Sequence, residues 1–168
     1  TPLNSQFFYG IAKDSFRRII QSYCLETDIS FAWGSIFLLY GEDEPPSRLV
    51  PSVIRALKSG EIARVSHCQQ VRDIMSTRDC GKAFAQLLLS PVTGTLNIAS
   101  GEAVKLQIVV ETIHKIIGNG EVEYGKMQTT SIEPAMLVAN ISRLKHEVGF
   151  IPEDNLESGL TLLTKGTR

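Results

Sequence analysis

The order of apolar and polar positions divides the chain into alternating helical and strand-like stretches. From about Tyr9 to Tyr23 apolar residues recur at helical spacing, with Phe16, Ile19, Ile20 and Tyr23 on one face and Arg17, Arg18 and Gln21 away from it. Ile29 to Tyr40 is instead a nearly continuous apolar run rich in Ile, Phe and Trp, the pattern of a strand buried on both faces in a parallel sheet beneath helices. The charged, proline-containing segment Gly41 to Pro46 breaks that run, and a loop at the carboxyl end of a parallel strand is where α/β sheets hold their ligands. Ser47 is the expected N-cap of the next helix, which Leu49, Val50, Val53, Ile54 and Leu57 carry until Gly60 stops it.

Further along, Ala63 to Ser66 and Val71 to Met75 are predicted as short strands. Ser76-Thr77-Arg78-Asp79 is a near match to a capping box, and the helix it opens packs Ala83, Phe84, Leu87 and Leu88 before Pro91 and Gly94 end it. A strand follows from Thr95 to Ala99. Leu106, Val109, Val110, Ile113 and Ile117 give the cleanest helical period, over Lys105 to Ile117, closed by Gly118-Asn119-Gly120. Val122 to Tyr124 reads as a strand. Gly125 to Asn140 has little periodicity and reads as a loop, a candidate lid if it belongs to a substrate lobe. Helices from Ser142 to Val148 and from Leu156 to Lys165, around Gly149 and Pro152, finish the pattern. No internal repeat, low-complexity tract or linker divides it, so one unit over residues 1–168 is expected.

Composition narrows the partners. The 168 residues carry a net charge of −1, with no basic stripe that would announce nucleic acid. No apolar run reaches the length that spans a bilayer, and no basic segment precedes an apolar core at the start. The expectation is a cytoplasmic protein with neither nucleic acid nor membrane as a partner. Cys24, Cys68 and Cys80 are odd in number and never spaced Cys-x-x-Cys, which predicts reduced thiols rather than a disulfide or zinc framework. His67, His114 and His146 are scattered, so no metal is expected, and no Gly-x-Ser-x-Gly nucleophile turn occurs.

The chemistry-bearing stretch is Tyr9-Gly10-Ile11-Ala12-Lys13. Residues four apart share a helix face, and an ammonium held near a phenol favours the phenolate, which fits general acid/base work on an alcohol. The effect requires partial shielding from water, because exposed charges interact weakly. The same spacing also describes a surface lysine stacked one turn from a half-buried tyrosine.

This stretch resembles the Tyr-x-x-x-Lys signature of the short-chain dehydrogenase/reductase superfamily, in the Tyr-Gly-x-Ser/Ala-Lys form of its extended branch, the nucleotide-sugar epimerases and dehydratases. Phe31 to Gly41 is similar to that branch's strand ending in Tyr-Gly, and Arg48 to Ile54 to the helix after it. Gln70-Val71-Arg72-Asp73 through Asp79 resembles its Val-Arg-Asp-Phe segment, and Leu96-Asn97-Ile98-Ala99-Ser100-Gly101-Glu102 its Asn-Ile-Gly-Ser-Gly turn. The matches follow the family's order over nearly the whole chain.

The resemblance implies an α/β fold made of the last parallel strands of a Rossmann-type sheet plus a small mixed α/β substrate-binding lobe. It implies NAD or NADP as cofactor and a nucleoside-diphosphate sugar as substrate. Tyr9 would exchange a proton with a sugar hydroxyl while hydride passes to or from the nicotinamide. Lys13 would hold the nicotinamide ribose and lower the Tyr9 pKa. Arg72 would contact the diphosphate, and Arg48 with the backbone of Leu49 would approach the nucleotide. Ser35 stands where the family usually has arginine, Asn140 replaces a frequent acidic residue, and Met127 to Glu133 holds no arginine for a second phosphate contact. Glu42-Asp43-Glu44 adds negative charge beside the expected anion site. Neither a Gly-rich dinucleotide turn nor the family's upstream catalytic Ser/Thr has a counterpart. The chain therefore reads as the C-terminal half of such an enzyme, inactive by itself and associating, as a homodimer or otherwise, through uncovered apolar surface. A degenerate member that binds a nucleotide sugar or a protein partner without redox chemistry is the alternative, and an unrelated α/β domain with a chance Tyr-x-x-x-Lys is a third.

Overall fold

The structure is a computed structural model that describes residues 8–127 and 134–166. In chain order its elements are α1 (Phe8–Glu26), β1 (Ala32–Ile36), β2 (Leu38–Tyr40), α2 (Leu49–Lys58), β3 (Ile62–Arg64), β4 (Val71–Arg72), β5 (Ile74–Ser76) and α3 (Thr77–Leu88). There follow β6 (Gly94–Ile98), β7 (Val104–Lys105), α4 (Leu106–Ile117), β8 (Glu121–Glu123), β9 (Met136–Leu137), a π-helical turn (Leu144–Val148) and α5 (Leu156–Gly166).

Helix α1 does not pack the face that its periodicity suggests. Its least exposed positions are Asp14, Arg17, Ile20 and Cys24, whereas Ile19 and Tyr23 lie open and Phe16, also exposed, meets Trp33 edge-on at 6.4 Å between ring centroids. Arg17 tolerates the covered side because Asp14 Oδ1 accepts from its Nε and Nη2 at 3.0 and 2.7 Å, leaving its aliphatic stem free to be covered. Among the described residues the contact with Trp33 covers only the Phe16 end of the apolar face.

The run from Ile29 to Tyr40 forms two ladders rather than one strand. β1 pairs in parallel with β6, from Ala32 opposite Gly94 to Ile36 opposite Ile98, and β2 pairs in parallel with β5. The break falls at Phe37, whose N–H still reaches the Ile98 carbonyl at 3.3 Å. Nor is the run buried on both faces, since Ile36 and Leu38 are exposed. Within the described residues β1 has β6 on one edge, and α3 supplies cover through Phe84. At Gly34 a Cβ would lie 2.6 Å from the Phe84 ring and 2.8 Å from Ile98, so only glycine lets that ring lie on the strand.

The predicted strand Val71–Met75 likewise breaks, at Asp73. β4 lies between antiparallel β7 and parallel β9, whereas β5 returns to β2, so the chain changes sheets at this residue. The buried Asp73 carboxylate accepts from the Ser100 N–H at 2.8 Å, the Ser100 hydroxyl at 2.6 Å, the Gly101 N–H at 2.8 Å and the Ala139 N–H at 3.2 Å. β9 falls inside the stretch expected to be a loop, of which residues 128–133 lie outside the described part. Two exposed residues carry no period that a pattern could reveal. A further parallel pair, β3 with β8, extends the lobe.

Two apolar cores hold these pieces. One joins Val53, Ile54 and Leu57 of α2 to Val109, Val110 and Ile113 of α4 and Leu160 and Leu163 of α5. The other packs Ala83 and Leu87 of α3 on Leu96 and Ile98 and on Leu144, Val148 and Phe150. Ser76 caps α3 as expected, its Oγ accepting from the Asp79 N–H at 3.0 Å. For α2 the cap is Arg48 instead of Ser47, and no side chain satisfies its first turn. The expected helix at Ser142–Val148 is the single π-helical turn. Cys24, Cys68 and Cys80 are free and buried, and no helix among the described residues is long and apolar enough to cross a membrane.

Candidate functional site

A cleft of about 390 Å³ opens between the end of β2, the first turn of α2, β4 and the β9 segment. Arg48, Leu49 and Arg72, three residues singled out from the sequence, all line it, with Glu44, Pro134 and Leu137. Arg72 is largely buried, and its Nη1 donates to the Val71 and Pro134 carbonyls, each at 2.9 Å. These bonds fix the guanidinium in its position on β4. Arg48 is exposed at the head of α2. The first turn of that helix holds no acidic residue and no side-chain cap, and Leu49 and Val50, whose N–H groups have no partner within the helix, line the cleft at the positive end of the helix dipole. Two guanidinium groups and an uncapped helix start in one cleft favour an anion.

A second compartment of about 420 Å³ adjoins it at the carboxyl ends of the strands, between Ile36 and Tyr40, the acidic loop and Thr77. Leu38, Leu39, Glu44 and Arg48 line both. Glu44 thus stands at the junction. Its Oε2 is buried without a hydrogen-bond partner, and burial pushes its carboxyl above the usual range while the Arg48 charge pulls it back. The loop is anchored at Gly41, where a Cβ would lie 2.0 Å from the Thr77 hydroxyl.

Tyr9 and Lys13 do come together, Lys13 Nζ lying over the Tyr9 ring at 5.6 Å from its centroid. Both are exposed, Tyr9 at 72%. Neither lines the Arg48–Arg72 cleft, so the described residues form one predicted group as a cleft and the other as an open helix face. The cation over the ring is weakly held while water surrounds it.

Below Gly41 lies a further polar cluster that the sequence did not signal. Arg78 donates to both Asp154 oxygens at 2.6 and 2.5 Å, Ser76 Oγ donates to Asp154 Oδ2 at 3.0 Å, and Asp79 Oδ2 accepts from the N–H groups of Glu153 and Asp154. Tyr40 sits beside it, its hydroxyl pushed up to about 12 by burial first and then by the Asp154 and Asp79 charges. That keeps Tyr40 a neutral phenol at neutral pH. The hub at Asp73 is not marked in the pattern either, because what identifies it is four donors from two distant segments, Ser100–Gly101 and Ala139.

Among known proteins, residues 1–99 match the sequence model of the NAD dependent epimerase/dehydratase family. The chain is 24% identical over 157 residues to CDP-abequose synthase of Salmonella muenchen, covering 90% of this chain and 53% of that protein. Its fold superposes on dTDP-glucose 4,6-dehydratase of Bacillus anthracis, solved in complex with NAD, with a TM-score of 0.86 at 22% identity, over 98% of this chain and 53% of that one. UDP-glucose 4-epimerase of Thermotoga maritima, solved with UDP-glucose, gives 0.85 at 19% identity, over 98% and 58%. The chain spans about half the length of these proteins.

Proposed function

The chain belongs to the NAD dependent epimerase/dehydratase family, and on that premise we propose that it supplies the catalytic helix and the substrate lobe of an enzyme that epimerises, dehydrates or reduces a nucleoside-diphosphate sugar. The observation that carries the reading is the cleft in which Arg48, Leu49 and Arg72 meet at the uncapped start of α2. A diphosphate there meets the charges of the Arg72 and Arg48 guanidinium groups and the backbone N–H groups of Leu49 and Val50.

Tyr9 is assigned the proton exchanged with a sugar hydroxyl and Lys13 the ribose of the dinucleotide. Bound NAD or NADP would supply hydride transfer. An exposed phenol and ammonium side by side fit the nicotinamide end of such a cofactor, and closing the site around them would strengthen their coupling by excluding water. The sequence holds no Gly-rich pyrophosphate turn. We therefore assign the rest of the dinucleotide site to residues outside 1–168, and expect residues 1–168 alone to be inactive. The buried Glu44 carboxylate beside the anion site supports a second reading, a member that binds a nucleotide sugar without turning it over.

Calorimetric titration of the complete gene product with UDP, CDP and dTDP tests the cleft. Binding of at least one, lost on Arg72→Ala, is expected, and binding of none would sink the reading. An assay with NAD and the corresponding sugar nucleotide then separates enzyme from binding module, with Tyr9→Phe expected to abolish turnover and leave the thermal midpoint unchanged.

A further inference from the structure

A diphosphate in the cleft would neutralise Arg48 and Arg72, the cations lining its two compartments among the described residues. What then remains charged is acidic: Glu42 and Asp43 on the rim of the second compartment and Glu44 at the junction. Glu44 differs from the other two in that its Oε2 is already out of solvent with no donor. A buried oxygen of this kind calls for a hydrogen-bond donor, which a ligand in the cleft can supply. The second compartment, at the carboxyl ends of β1 and β2, opens past Glu44 and gives the moiety attached to a bound diphosphate room to enter.

Resting on the diphosphate reading above, we propose that Glu44 is a specificity-determining residue: its carboxylate accepts a hydrogen bond from a hydroxyl of an uncharged sugar and rejects nucleoside-diphosphate sugars that carry a carboxylate, the uronic acids. Two mechanisms act together. A sugar hydroxymethyl group at Glu44 supplies the donor that Oε2 lacks, whereas a carboxylate in the same position leaves it unpaired and places like charges side by side in a partly desolvated cleft. The rim carboxylates of Glu42 and Asp43 add to the same repulsion, more weakly because water screens them.

The test uses the complete gene product and calorimetry. UDP, CDP and dTDP are titrated first, and the glucose and glucuronic acid conjugates of the tightest of the three are then compared. These two ligands share base and diphosphate and differ only at the sugar C6. The native protein is expected to prefer the glucose conjugate by about tenfold or more. Glu44→Gln should narrow that preference to within about threefold, chiefly through tighter binding of the glucuronic acid conjugate, whereas Glu44→Asp, which keeps the charge, should retain it. Equal affinity in the native protein, or an undiminished preference in Glu44→Gln, overturns the assignment while leaving the diphosphate site standing. Failure of all three nucleoside diphosphates to bind overturns both.

Discussion

Asp73 and Ser100 are joined twice, the carboxylate taking the Ser100 backbone N–H at 2.8 Å and its hydroxyl at 2.6 Å. This double bond ties the residue after Arg72 to the turn that leaves β6. With Gly101 and Ala139 held by the other oxygen, the same side chain gathers the sheet, the turn and the segment beyond β9. Asp73, which does not itself line the cleft, thus supports the position of Arg72 in it.

Replacing Asp73 by alanine leaves those donors unpaired in a buried site. A loss of about 3–5 kcal/mol in unfolding free energy is expected, read from the urea midpoint. Asp73→Asn keeps the volume and part of the bonding and should cost about half as much. In both variants affinity for nucleoside diphosphates should fall even at temperatures where the protein is folded, because Arg72 loses its support. Unchanged affinity in folded Asp73→Asn would mean that the hub serves stability alone.

The two arginines should differ in weight. Arg72 is held by carbonyls of Val71 and Pro134 and largely shielded from water, whereas Arg48 is exposed. Arg72→Ala is expected to weaken diphosphate binding by about a hundredfold, and Arg72→Lys to recover little of it, since an ammonium cannot span two oxygens as a guanidinium does. Arg48→Ala should cost about tenfold or less, and that cost should shrink as salt is added. Titrations at low and high ionic strength separate the two. Equal losses would argue that both side chains close on the ligand.

Much of this arrangement was legible in the chain, for reasons that can be stated residue by residue. Helix α4 declared itself because Leu106, Val109, Val110 and Ile113 bury one stripe, and α3 because Ser76 is both the pattern's cap and the structure's. Arg48, Leu49 and Arg72, picked out by ordered motif matches, line one cleft. What stayed hidden was non-local. The split of the Ile29–Tyr40 run depends on which strand lies alongside each half, and composition is silent on that. The packed side of α1 was misread because Asp14 neutralises Arg17, turning a charged position into one that can be covered. Glu44 was legible as negative charge, but not as a carboxyl turned inward between two compartments.

Acid should unfold the protein partly through Asp154. Hydrogen bonds from Arg78 foremost, and from Ser76, hold its carboxyl below the usual carboxylate range. A depressed value means that the folded state binds its proton less readily than the unfolded one. The stabilisation is therefore fully present above the unfolded value of about 3.9 and disappears as pH falls through the lower folded value. Asp154→Asn should be less stable than the native protein at pH 6, and the gap should close as pH drops through that window. Thermal midpoints measured across the acid range check this, and a constant gap would assign the loss to packing instead.

The face of α1 that lies open sets the last expectation. Ile19 and Tyr23 on that face are 67% and 60% exposed, Leu25 on another side of the helix is 83% exposed, and β1, which α1 meets through Phe16 and Trp33, has its ladder with β6 on one edge. Apolar surface of this extent next to a strand edge drives association in water. Residues 1–168 in isolation should therefore form dimers or larger species by light scattering at micromolar concentration. Ile19→Lys combined with Leu25→Lys should shift them toward monomer without loss of helix content, because neither side chain supports a described core. A monodisperse monomer for the unmodified chain would mean that the face is satisfied from within it, and that α1 does not need a covering partner to hold Tyr9 and Lys13 in place.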